Sequence, residues 1–201
     1  KYGQSNDIVL IKKTPIDTTS RSILLVLDTS GSMKEPAGST TKIIMVKKTA
    51  DTLANLKSIY QNVDIGIVTF ASEAKVDSPF SNADTNSIKQ NIVNININNF
   101  NRCDSGACTS FGVALFKAIE VFDQTQQSTK KYIIFMSDGE HNLNPTPDSF
   151  IQECSERGIT IHALGFGDEF DAYYLQMMAD QTGGIYAYAD NVMDFENQMI
   201  D

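Results

Sequence analysis

The sequence predicts an α/β domain in which a mostly parallel sheet is covered by helices on both faces. Apolar runs typical of buried strands alternate with segments of helical periodicity along most of the chain. The runs are continuous, as in residues 22–28 (SILLVLD), and such runs are typical of parallel strands that are buried on both faces. A length of 201 residues suits one domain of this class. We therefore expect a single domain over residues 1–201, with an N-terminal extension at 1–21 and a core at 22–201.

Seven segments have the composition of strands. In chain order they are residues 8–12, 22–28, 64–70, 74–76, 132–137, 159–166 and 185–189. The first lies in the extension and outside the repeating pattern. Residues 74–76 follow the preceding strand too closely for a crossover helix, so we expect them to pair antiparallel at the edge of the sheet.

Helical spacing of apolar residues predicts the elements between the strands. These helices are residues 42–57, 111–122, 148–157, 171–181 and 192–200. The asparagine-rich stretch 91–101 fits a helix and a strand almost equally well. Because asparagine suits irregular backbone, a helix followed by a loop is the favoured interpretation there.

Composition excludes several classes of function. Lysine and arginine total 16, and aspartate and glutamate total 25, which gives a formal net charge of −9. The chain has no basic stripe, so we expect neither nucleic acid nor anionic lipid as a partner. No apolar run reaches the roughly 18 residues of a transmembrane helix, so this segment is not expected to insert into a membrane. The chain begins at Lys1 without a signal-peptide pattern, and we expect an excised or processed domain.

Oxygen-bearing side chains follow the most apolar predicted strand. Asp28, Ser30 and Ser32 form a D-x-S-x-S sequence on a turn that contains glycine. Asp138 ends a neighbouring predicted strand, and Thr109 opens a predicted helix. Since ligand sites lie at the carboxyl ends of parallel strands, these side chains are expected to meet there, and their oxygens suit Mg²⁺. The alternative is that Asp28 or Ser30 only caps the following segment.

The five residues also occur in a family's characteristic order. The chain resembles the von Willebrand factor type A domain family, whose metal-ion-dependent adhesion site consists of D-x-S-x-S, a separate Thr and a separate Asp. Further matches to the family are residues 68–70 (VTF), 137–139 (SDG), 161–167 (IHALGFG) and 182–186 (TGGIY). The resemblance covers most of the chain.

The resemblance implies a Rossmann-like, doubly wound fold with one divalent cation above the sheet. The cation is typically Mg²⁺, with Mn²⁺ or Ca²⁺ as substitutes. A protein partner's Asp or Glu carboxylate fills an open coordination position, which implies an adhesion or interaction module and not an enzyme. Acidic and histidine side chains near this edge are candidates for the rim that contacts the partner, namely Asp104, Glu140 and His141.

The cysteines bear on the compartment. Cys103 and Cys108 bound the loop just before Thr109, where the family usually has a glycine-rich loop. We expect a disulfide between them, which implies an oxidising environment. In a cytosolic protein they would instead be thiols. Cys154 is expected to be a small buried apolar residue.

The favoured function is therefore an extracellular or cell-surface interaction module, similar to those of bacterial surface proteins that include pilus-tip adhesins. The main alternative is an intracellular module of the same family that assists an ATPase in metal insertion or complex assembly. A hydrolase is the third class considered. Its nucleophile Ser30 lacks the G-x-S-x-G elbow, and only His141 and His162 are available as bases.

Overall fold

The structure is a computed structural model, and it describes residues 19–59, 62–81, 84–97, 108–124, 130–139, 141–167 and 172–188. The predicted strand at 8–12 and the predicted helix at 192–200 lie outside these ranges.

Eight strands are present in the described ranges. They are β1 (Arg21–Asp28), β2 (Pro36–Ala37), β3 (Thr40–Thr41), β4 (Val63–Phe70), β5 (Ala74–Ser81), β6 (Lys130–Ser137), β7 (Ile159–Gly165) and β8 (Tyr186–Tyr188). Six of them form one sheet in the order β5-β4-β1-β6-β7-β8, and only the β4–β5 pair is antiparallel. The predicted mostly parallel sheet with one antiparallel edge strand is confirmed. The short strands β2 and β3 form a separate hairpin that the sequence did not predict.

The edge strand β5 is longer than predicted. It continues past residue 76 to Ser81 and includes Pro79. Its register against β4 shifts between Ile65 and Val68, which marks a bulge or irregularity. Proline and bulges are both tolerated at a sheet edge, because an edge strand needs hydrogen bonds on one side only.

The helices lie between the strands, as expected. They are α1 (Lys42–Ala54), α2 (Leu56–Ile59), α3 (Thr85–Asn94), α4 (Phe111–Asp123), α5 (Asp148–Glu156) and α6 (Tyr173–Thr182), with a 3₁₀ turn at Gly31–Lys34. The helix predicted at 42–57 is confirmed over most of its length, but it is interrupted at Asn55. The Asn55 amide donates to the Thr52 carbonyl, and the Asn55 carbonyl accepts from Ser58 at 2.8 Å, which starts a new turn. None of the described helices has the length and apolar character that a membrane span requires.

The core has two layers, one on each face of the sheet. Alternate residues of β1 point to opposite faces, so Leu25 and Leu27 join one layer and Leu24 and Val26 join the other. The first layer receives apolar residues from α1 and α3, and the second from α4, α5 and α6. Burial on both faces explains why these strands read as continuous apolar runs.

Candidate metal site

Asp28 is the last residue of β1 and is fully buried. Its Oδ1 accepts a hydrogen bond from the Ser30 amide at 2.8 Å, and its Oδ2 accepts one from the Ser137 hydroxyl at 2.5 Å. Ser137 ends β6, which lies next to β1 in the sheet. Both carboxylate oxygens are therefore fixed by the ends of two neighbouring parallel strands.

The two serines of the D-x-S-x-S sequence are also brought together. The hydroxyl oxygens of Ser30 and Ser32 lie 3.0 Å apart, and both residues are buried. Ser32 belongs to the 3₁₀ turn, which starts at Gly31 directly after Ser30. The turn thus brings the two hydroxyls together, directly after the residue that ends β1.

Asp138 follows β6 and is fully buried. Its Oδ2 accepts a hydrogen bond from the Lys42 ammonium at 3.0 Å. Its Oδ1 has no hydrogen-bond partner in the part of the chain that the structure describes. A buried carboxylate oxygen left in this way is costly unless something else binds it.

Thr109 is held at the entry to α4 by two loops. Its amide donates to the Asn142 side-chain oxygen at 2.9 Å, and its carbonyl accepts from the amides of Asn142 and Leu143. The next residue, Ser110, caps α4 through Val113 and donates its amide to the carbonyl of Ala71, just after β4. Thr109 therefore lies buried between the chain segments that follow β4 and β6, the two strands that flank β1 in the order of the sheet.

The electrostatics of the site favour a cation. Burial raises the pKa of Asp28 to about 7, the charge of Asp138 adds to the rise, and hydrogen bonds from Ser137 and Ser30 oppose it. Two buried carboxylates with neutral hydroxyl oxygens are a donor set that fits a hard divalent cation such as Mg²⁺. Within the described ranges no three His, Cys, Asp or Glu side chains gather as a metal-binding cluster, so a cation here would depend on the hydroxyls.

The three rim candidates have different outcomes. Asp104 and Glu140 lie outside the described residues. His141 is half-buried, and its Nδ1 accepts a hydrogen bond from the Phe111 amide at 3.2 Å. Its ring packs 5.4 Å from that of Phe111 and 5.1 Å from that of Tyr174, measured between centroids. His141 therefore supports the first turn of α4, and contact with a partner stays a prediction.

The cysteine predictions are tested only in part. Cys154 is a free thiol with no exposed surface, as predicted. Cys108 is buried next to Thr109. Cys103 lies outside the described residues, so the pairing of Cys103 with Cys108 stays a prediction.

Sequence reasoning missed two residues that support this site. Lys42 contacts the predicted ligand Asp138, and Asn142 contacts the predicted ligand Thr109. One signal for Lys42 was available, because it is the first residue of α1. A positive charge there is disfavoured by the helix dipole, so a carboxylate nearby could have been expected. No comparable signal marks Asn142, because its role depends on where a loop returns in space.

Two known proteins align with nearly the whole chain. It is 24% identical over 203 residues to inter alpha-trypsin inhibitor heavy chain 4 of Mus musculus, which covers 90% of this chain and 20% of that protein. It is also 24% identical over 204 residues to protein YwmC of Bacillus subtilis, which covers 97% of this chain and 88% of that protein. The chain thus spans only a fifth of the mouse relative's length.

Solved structures share the fold. An aerotolerance-related membrane protein from Bacteroides fragilis has a TM-score of 0.73 at 20% identity, covering 90% of this chain and 96% of that one. Proximal thread matrix protein 1 from the mussel byssus, in a form whose adhesion-site motif holds zinc, has a TM-score of 0.73 at 20% identity, with 91% and 48% covered. The PilB minor pilin of Streptococcus sanguinis has a TM-score of 0.68 at 19% identity, with 92% and 63% covered.

At these sequence identities, the solved structures show the fold alone. The family is shown by a comparison of sequences. The statistical description of one family matches residues 22–200, which include every strand and helix described above except the first residue of β1. The chain therefore belongs to the von Willebrand factor type A domain family.

Proposed function

We propose that this domain binds one Mg²⁺-like cation at the candidate metal site and, through it, a carboxylate of a protein partner. The residues that would hold the cation are Asp28, Ser30, Ser32, Thr109 and Asp138. The observation that best supports the proposal is the buried Oδ1 of Asp138, which lacks a hydrogen-bond partner in the described chain. A second buried carboxylate, that of Asp28, belongs to the same proposed site.

The family supports the same function. Its domains typically carry a metal-ion-dependent adhesion site, act in protein–protein interaction and are generally not catalytic. The mussel byssus protein holds zinc at its motif, so a divalent cation is compatible with this fold. Mg²⁺ is the proposed cation here because all the proposed donors are hard oxygens, with Mn²⁺ or Ca²⁺ as substitutes.

The chain's own residues do the positioning. The Ser30 amide and the Ser137 hydroxyl fix Asp28, and Asn142 fixes the backbone of Thr109. Since the three hydroxyls are neutral, only Asp28 and Asp138 offset charge at the site. A bound divalent cation would supply an incompletely neutralised centre that attracts an outside carboxylate.

Calorimetric titration with Mg²⁺ tests the metal site. Thr109→Ala is expected to weaken binding about tenfold, because it removes one donor and no charge. Thr52→Ala is the matched control, since its hydroxyl is exposed on α1 and donates to the carbonyl of Lys48 within the same helix. Equal affinity in Thr109→Ala and wild type would remove Thr109 from the ligand set, and no binding by wild type would refute the site.

A small carboxylate tests the second half of the proposal. With Mn²⁺ bound to the protein, the methyl protons of acetate are expected to relax faster than those of acetamide, because only the carboxylate binds the cation. Asp138→Asn protein serves as the control for free Mn²⁺. Equal relaxation of acetate and acetamide at the wild-type protein would contradict the carboxylate grip.

An extracellular or cell-surface location is part of the proposal. A short disulfide between Cys103 and Cys108 beside Thr109 would suit an oxidising compartment, and the likeness to a minor pilin is compatible with that setting. Peptide mapping without reduction, on protein made in an oxidising host, is expected to show that bridge and a free Cys154. Alkylation of all three thiols would favour the intracellular alternative.

A further inference from the structure

Lys42 occupies an unusual place for a cation. It is the first residue of α1, yet its side chain is only 8% exposed. The helix has no acidic residue in its first turn, and Thr41 makes no side-chain capping bond. A buried ammonium at the positive end of a helix is unfavourable on both counts, so its partners must compensate.

Those partners belong to the metal site and its border. The Lys42 ammonium lies 3.0 Å from Asp138 Oδ2 and 2.8 Å from Glu35 Oε2. Glu35 follows the 3₁₀ turn, and its carbonyl accepts a hydrogen bond from the Lys42 amide at 3.1 Å. The stem of Lys42 passes over Gly167, where an added Cβ would lie 2.9 Å from Lys42 Cε. One side chain therefore joins α1 to the segments that follow β6, β7 and the 3₁₀ turn.

The two oxygens of Asp138 become different because of this contact. Oδ2 is held by Lys42, whereas Oδ1 has no partner in the described chain. The oxygens of Asp28, in contrast, are both hydrogen-bonded. Counting Asp28, Asp138 and Lys42 as charged, the buried part of the site carries a net charge of −1 and not −2. Lys42 thus removes half of the negative charge that would attract a divalent cation.

We propose that Lys42 is a positioning residue and a built-in competitor of the metal. It turns Asp138 so that Oδ1 faces the site, it stabilises the metal-free fold by pairing with a buried carboxylate, and it weakens the affinity for the cation. This inference rests on the metal site proposed above. Because the site offers less negative charge, the bound cation keeps more of its positive charge and attracts a partner's carboxylate more strongly.

The experiment compares Lys42→Met with wild type in two measurements. In EDTA, the melting temperature of Lys42→Met is expected to fall, because Asp28 and Asp138 lose their internal counter-charge. By calorimetry, Mg²⁺ is expected to bind Lys42→Met about tenfold more tightly, since a positive charge beside a ligand oxygen has been removed. The difference in melting temperature between the two proteins is then expected to narrow as Mg²⁺ saturates both.

Matched variants distinguish competition with the cation from a merely structural role of Lys42. Lys42→Arg keeps the charge and is expected to keep the wild-type affinity and stability. Lys34→Met removes a lysine charge from the exposed end of the 3₁₀ turn and is expected to change the affinity less than twofold. Lys42→Gln, which is neutral but can still donate to Asp138, serves if Lys42→Met does not fold in EDTA.

The outcomes distinguish the two proposals. If wild type binds no Mg²⁺, the proposed function fails whatever Lys42 does. If wild type binds Mg²⁺ but the neutral variants bind it equally or more weakly, the proposed function stands and the role of Lys42 is overturned. A gain in affinity for Lys42→Arg equal to that of Lys42→Met would also overturn it.

Discussion

Asp28 and His162 are both buried ionisable side chains, and burial shifts each toward its neutral form. It raises the pKa of Asp28 to about 7 and lowers the pKa of His162 to about 4. His162 lies in β7, where its Nδ1 accepts a hydrogen bond from the Ile185 amide at 3.2 Å and its ring stacks on Tyr132. The neutral imidazole thus holds the backbone just before β8. Asp28, in contrast, would release the proton that its raised pKa favours when a cation binds.

The pH dependence of stability follows from His162. Its pKa is 6.5 in the unfolded chain and about 4 when folded, so the unfolded state binds more protons between these values. Stability attributable to His162 is therefore complete above pH 6.5 and falls by about 3 kcal/mol as the pH drops to 4. Urea unfolding in EDTA is expected to show a shallower loss in His162→Asn, which keeps an acceptor for Ile185.

His141→Asn is the control for that measurement. His141 is only half-buried, and burial lowers its pKa while the charge of Asp148 opposes the shift. Its removal is therefore expected to change the pH slope less than removal of His162. Parallel pH profiles for wild type and His162→Asn would show that the imidazole does not titrate with unfolding.

At the scale of elements, the site depends on loops that return to the sheet. The segment after β6 carries Asn142, which binds the backbone of Thr109, and then reaches Pro145. The Pro145 carbonyl lies so close to Gly112 that an added Cβ there would be 2.2 Å away. Glycine in the first turn of α4 is thus required for close packing, and that packing keeps Thr109 in place.

Asn142→Ala tests this loop. The Thr109 amide would lose its 2.9 Å acceptor in a part-buried setting, which costs about 0.5–1.5 kcal/mol of unfolding free energy. Mg²⁺ affinity is expected to fall as well, because Thr109 is no longer held. Asn142→Asp keeps the acceptor oxygen and is expected to retain both properties. An Asn142→Ala protein as stable as wild type would show that the loop does not support Thr109.

The sequence predicted the strands better than it predicted the residues that support the site. Continuous apolar runs marked β1, β4, β6 and β7 because burial on both faces leaves few polar positions in them. The break at Asn55 was missed, since apolar spacing continues across it. The contact between Lys42 and Asp138 joins residues 96 positions apart, and no local pattern encodes such a pairing.

For the molecule as a whole, the proposed metal binding would be linked to folding. The proposed ligands come from the ends of β1 and β6, from the 3₁₀ turn and from the entry to α4, so the unfolded chain has no comparable site. A cation that binds only the folded state stabilises it by mass action. The net charge of −9 adds a general attraction for cations, which an experiment must separate from binding at the site.

Thermal unfolding makes that separation. Mg²⁺ at about one hundred times its dissociation constant is expected to stabilise wild type by about 2.7 kcal/mol. For a domain of this size that raises the melting temperature by roughly 5–10 °C.

Asp28→Asn is expected to show no such rise. In EDTA above pH 7 it is expected to be at least as stable as wild type, because it removes a buried carboxylate whose pKa is already raised. NaCl at matched ionic strength is the control for general charge screening. If NaCl reproduced the rise, or if Asp28→Asn kept it, Mg²⁺ would be acting on the acidic surface and not at the ends of β1 and β6.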